Sequence, residues 1–69
     1  MREELKRRRK AAGMSQRELA AAIGCSRENY CKLEAGTNAG SMKLWISIQK
    51  ALDISPEDIL YIIAEGGAA

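Results

Sequence analysis

Ser15, Ser26, Ser41 and Ser55 stand where helices can begin, and Gly13, Gly24 and Gly36 stand where the segments before them stop. A serine hydroxyl accepts unpaired amide N–H groups in a helix's first turn, and glycine enters the left-handed conformation that ends a helix. The punctuation divides the chain into five short helical segments. The first ends at Gly13. Ser15, with Glu18 three residues on, forms a reciprocal capping box that opens a second over Gln16 to Ile23. Ser26 opens a third that reaches Ala35 and is closed by Gly36; Ser41 opens a fourth. Ser55 opens the fifth, with Pro56 at its first position, where a missing N–H is harmless, and Glu57 and Asp58 at the positive end of its dipole. The tail from Gly66 to Ala69 is expected to be disordered, leaving one domain over residues 1–65.

At 69 residues such a chain depends on close helix packing or on a staple. Helical spacing supplies inward faces: Leu5, Arg8 or Arg9, and Ala12; Leu19, Ala20 and Ile23; Met42, Trp45, Ile46, Gln49 and Leu52; Ile59, Leu60, Ile62 and Ile63. Trp45 is read as core, with its indole N–H near the surface. In the third segment Tyr30 and Leu33 point inward with Glu34 at their margin, whereas Arg27, Glu28, Cys31 and Lys32 point the other way. The fold class is all-α.

Staples are missing. Cys25 and Cys31, without a single histidine, cannot supply the ligands of a protein zinc site, so no metal or other cofactor is expected. No nucleophile stands beside a base and no glycine loop suits a phosphate, so an enzyme finds no support. No apolar run approaches the ~18 residues of a membrane span, and no secretory leader is recognisable, which points to a cytoplasmic protein with reduced thiols. The charge is asymmetric: residues 1–34 carry nine basic and five acidic side chains, residues 35–69 two and four. An excess of cations in one half suits a polyanion, although the run Lys6 to Lys10 also reads as a solvated helix face.

The second and third segments are joined by Gly24 and Cys25 alone, so the helices must cross closely, with small Ala20 at the crossing. Ala20, Gly24 and apolar Tyr30, at that spacing, form the steric skeleton of a helix-turn-helix, whose second helix enters the major groove of DNA. The chain also resembles the phage repressor and Cro-like (XRE) helix-turn-helix regulators from Leu5 to Leu60. The resemblance is carried by Gly13-Met14-Ser15-Gln16, Glu18-Leu19-Ala20, Gly24-Cys25-Ser26, Leu33-Glu34-Ala35-Gly36, Ser41 and Lys50-Ala51-Leu52.

That resemblance implies a compact five-helix, lambda-repressor-like domain with double-stranded DNA as partner and a repressor's role. It implies base contacts from Arg27, Glu28 and Lys32, a phosphate contact from Gln16 and a flanking contact from Asn29; Arg17, Asn38 and Lys43 are expected as further backbone or flanking contacts, Lys43 in place of the loop's missing basic residues. It also implies a partly buried pair between Arg9 and Glu34. Arginine and lysine suit guanine and Glu28 suits cytosine N4, while Glu28 and Lys32 also form an i,i+4 pair of about 0.2–0.5 kcal/mol. Tyr30 replaces an aliphatic residue and is expected to send its hydroxyl to water or a phosphate. Cys31 stands where relatives often carry serine. Arg8 replaces a leucine, Gln49 an alanine, and the loop Thr37 to Gly40 lacks the family's basic residues and proline. A homodimer through the fifth helix, with Tyr61 and Ile62 in contact, is expected, and no effector-binding domain. The rival is an antitoxin-like or adaptor module that uses the apolar stretch Ile59 to Ile63, with Tyr61, to bind a protein.

Overall fold

The computed structural model describes residues 1–66 as five helices with no strand among them: α1 (Glu3–Ala11), α2 (Gln16–Ile23), α3 (Arg27–Ala35), α4 (Met42–Leu52) and α5 (Pro56–Gly66). Gly66, assigned above to the tail, is the last residue of α5, and residues 67–69 lie outside the described residues.

Each serine caps its helix. The hydroxyls of Ser15, Ser26, Ser41 and Ser55 accept the amides of Glu18, Asn29, Leu44 and Asp58 at 3.0–3.2 Å. Glu18 reaches back to the Ser15 amide at 2.8 Å and completes the box. Such caps contribute about 1 kcal/mol each. The exception is α1. Its N-cap residue, Arg2, offers no side-chain cap, and the Glu4 amide instead donates to Oε1 of Glu65, from the last turns of α5, at 3.0 Å.

The core is built from Leu5, Leu19, Ala20, Ile23, Tyr30, Leu33, Trp45, Ile48, Ile54, Ile59 and Ile62, and α2 packs most closely on α3 and α4. Three inward faces differ from those read off the spacing, and in α5 it is Leu60 that lies outside, at 67% exposure, because Ile59 and Ile62 take the contact with the core. In α4, Trp45 and Ile48 are buried with Leu44 and Leu52 packed beside them, while Met42 is 80% exposed and Ile46 is also outside. The helix is apolar on two adjacent faces, and contact with α2 selects the one carrying Ile48. In α1, Arg9 turns inward, Arg8 lies at the margin and Ala12 is exposed.

Arg2 lies in the interior at 1% exposure. One nitrogen, Nη1, donates to the Leu33 carbonyl at 2.6 Å and the Asn38 carbonyl at 2.8 Å, its guanidinium lies 5.0 Å from the Trp45 ring centre, and its amide donates to the Glu34 carbonyl at 2.8 Å. A cation is favourable there because the last carbonyls of α3 lie at the negative end of the helix dipole, and that of Leu33 offers a second lone pair beside the one taken by the Gly36 amide. Burial lowers the Arg2 pKa, and the Glu65 carboxylate acts in the opposite direction. The adjoining loop is equally tight: Trp45 Nε1 donates to the Ala39 carbonyl at 2.9 Å, and Gly40 has φ +76°. A Cβ on Gly40 would sit 2.7 Å from Leu33 Cδ1 and 2.8 Å from Trp45 Nε1.

Candidate nucleic-acid interface

The turn between α2 and α3 follows from the backbone. Gly24 (φ 77°) donates to the Ala21 carbonyl at 3.3 Å and Cys25 to the Ala20 carbonyl at 3.0 Å, the paired bonds of a Schellman motif. Cys25 folds onto the core beside Ala20, and its burial pushes the thiol pKa up. One residue later Ser26 starts α3, so the two helices cross with no slack between them.

On its inner side α3 buries Tyr30, Leu33 and Glu34. Arg9 Nε and Nη2 donate to the two Glu34 oxygens at 3.0 and 3.2 Å, and Nη1 donates to the Met14 carbonyl at 2.8 Å. This forked pair joins α1 to the end of α3, and the Glu34 contact raises the Arg9 pKa. The Tyr30 hydroxyl, expected to seek water or phosphate, is enclosed beside the pair with no hydrogen-bond partner among the described residues. Burial first, and then the Glu34 carboxylate, drive the phenol pKa far up, so Tyr30 stays neutral.

The outer side of α3 is different. Arg27, Glu28, Asn29 and Lys32 are exposed and none is in an ion pair among the described residues; Glu28 and Lys32 do not meet despite their spacing. Half-buried Cys31 donates from its thiol to Gln16 Oε1 at 3.2 Å, which sets the first turn of α2 beside the middle of α3. Exposed Arg17 follows Gln16, and exposed Lys43 occupies the first turn of α4. Asn38 is exposed, but its Oδ1 accepts the Gly40 amide at 3.0 Å and its carbonyl is held by Arg2, so only its NH₂ end is left to bond outward.

The basic run of α1 is largely spent inside the molecule. Arg7 and Arg8 both bind Glu4, whose pKa falls to about 2 through those two hydrogen bonds, and Arg8 also reaches Asp58 of α5 at 2.7 Å. Arg8 thus has a partner where the family's leucine would pack. With Arg9 on Glu34, three of the five cations between Lys6 and Lys10 serve as internal ties. The charge excess of the first half is therefore less available to a polyanion than its count implies.

Of the two residues expected at a dimer contact, Tyr61 is 62% exposed, but Ile62 has no exposed surface and belongs to the core. α5 meets the other helices through Ile59 and Ile62, one turn apart, and this leaves Leu60 and Tyr61 outward. The spacing missed Arg2 and the Cys31–Gln16 contact. A signal for Arg2 existed: it lies three residues before Leu5 and seven before Arg9, on the buried face of α1.

Among the described residues, no helix is long and apolar enough to cross a membrane. No curated protein and no solved structure matches the chain. The helix-turn-helix family model of the XRE type matches residues 5–59, from Leu5 in α1 to Ile59 in α5, and so spans the whole α2–α3 unit and the pair that braces it. The chain belongs to that family, the DNA-binding helix-turn-helix regulators of the phage repressor and Cro-like kind.

Proposed function

We propose that the protein recognises a specific DNA sequence with α3 in the major groove and represses transcription by occupying that site. The carrying observation is the division of α3: an inner face fastened by Tyr30, Leu33 and the Arg9–Glu34 pair, and an outer face whose charges have no internal partner among the described residues. A fixed helix with uncommitted Arg27, Glu28 and Lys32 can spend its polar groups on base edges. Gln16, Arg17, Asn29, Asn38 and Lys43 then hold the backbone on either side. The protein acts by binding, without catalysis.

Selection of bound duplexes from a random pool, followed by a salt titration, tests the reading. A defined short sequence should emerge. With Arg17, Arg27, Lys32 and Lys43 as the exposed cations of α2, α3 and the first turn of α4, log K should fall against log salt with a slope between about −2 and −4, at about −0.9 per neutralised phosphate. A flat response, or no binding at low salt, rejects DNA in favour of an adaptor that binds protein.

One domain covers only a few base pairs, so specific reading of a longer site calls for a second copy. Exposed Leu60 and Tyr61 of α5, with Met42 and Ile46 of α4, are the apolar side chains available for that contact. Sedimentation that gives a monomer both free and on DNA rejects the dimer.

A further inference from the structure

Among the described residues, the Cys31–Gln16 bond is the only side-chain hydrogen bond that joins α2 to α3, and it couples a residue of the recognition helix to a backbone-binding candidate on the other helix. From this contact, and resting on the DNA-binding reading above, we infer that Cys31 is a positioning residue: its thiol holds Gln16 so that the amide NH₂ faces a DNA phosphate.

A carboxamide has an accepting end and a donating end, and a phosphate can only accept. With Oε1 engaged by the Cys31 thiol at 3.2 Å, Nε2 is the end left for the anion. The opposite orientation would point a carbonyl oxygen at the phosphate. Gln16 and Cys31 are both half-buried, so water competes weakly for the bond. The adjoining capping box fixes the first turn of α2, with the Ser15 hydroxyl and the Glu18 carboxylate accepting each other's amides at 3.0 and 2.8 Å. The first-turn amides of α2 point toward the same side as an anion would approach a helix N-terminus, which suits the NH₂ group to a shared oxygen. The grip on the backbone thus depends on a side chain that itself need not touch DNA.

The test is a double-mutant cycle in the full chain with Cys31→Ala, Gln16→Ala and their combination, plus Cys31→Ser, which restores a donor. Affinities are measured for the selected duplex and for an unrelated duplex of equal length, with thermal melts as the folding control. Cys31→Ala should weaken both duplexes by a similar factor, about 2- to 10-fold, as expected for one net hydrogen bond. Cys31→Ser should stay within about twofold of wild type, and Cys31→Ala should add nothing in the Gln16→Ala background. Cys31→Val keeps the bulk without the donor and gives the same answer independently of packing. Unchanged affinity in Cys31→Ala, losses that multiply in the double variant, or a loss confined to one base pair of the selected site would each overturn the inference. If wild type binds neither duplex at low salt, the DNA-binding reading falls and this inference with it; wild-type binding with an indifferent Cys31 overturns the inference alone.

Discussion

Arg9 and Glu34 stand 25 residues apart in sequence and meet as a forked pair whose side chains are 9% and 4% exposed. Removing either leaves its partner charged and cut off from water, so Arg9→Ala or Glu34→Ala should each cost about 3 kcal/mol, and the double variant much less than their sum. Urea melts of the three variants measure this; additive losses would show that the two side chains act independently. Arg27 has the opposite character, exposed at the first turn of α3 with no ion-pair partner among the described residues. Arg27→Ala should lose about 1–3 kcal/mol of discrimination at one base pair, read from affinities for every single-base change in the selected site. An equal loss at all sites would mean that Arg27 reads no base. At this scale the pair is legible through the family resemblance, whereas the spacing of Arg2 from Leu5 and Arg9 marks its inward side but not what it binds. Its partners are the carbonyls of Leu33 and Asn38, which any residue type supplies and which therefore leave no mark in a sequence.

Helix boundaries are the most legible elements, because caps are local chemistry: serine, glycine and the Ser15–Glu18 box act within a few residues of themselves. Rotation of a helix about its axis is settled by neighbours, so α4, apolar on two adjacent faces, reads with Met42 inward when Ile48 is the buried residue. The same cause misplaces Ile62 at a surface. Glycines separate local from neighbouring demands. Gly24 needs only its left-handed backbone, since a Cβ there would meet nothing within 4 Å, and Gly24→Ala should cost about 1 kcal/mol. Gly40 has that backbone and also the two close contacts, so Gly40→Ala should lose about 1–3 kcal/mol more. Denaturant unfolding of both variants checks the order, and equal losses would show that the loop yields without strain.

For the whole molecule, the division of charge along the chain is legible, but its use is not. Glu4 holds Arg7 and Arg8 within α1, whereas Asp58 makes Arg8 a tie from α1 to α5 alongside the Glu4 amide's bond to Glu65, and such pairing at long separation cannot be read from composition. These ties bring the beginning and end of the described chain together. Arg2 Nη2 lies 3.4 Å from the Ile63 carbonyl, and the Glu4 amide is held by Glu65. Since α1 has no side-chain cap of its own, its first turn is completed by a residue 61 positions away. The two ends of the described chain therefore report on each other. Glu65→Ala should speed hydrogen–deuterium exchange at the Glu4 amide by about fivefold, as for the loss of ~1 kcal/mol, while leaving the amides of α2 and α3 as slow as before. Unchanged exchange at Glu4 would refute the link. If it holds, a protease that trims the last turn of α5 loosens the opposite end of the described chain, and a nick at one end becomes a fault at both.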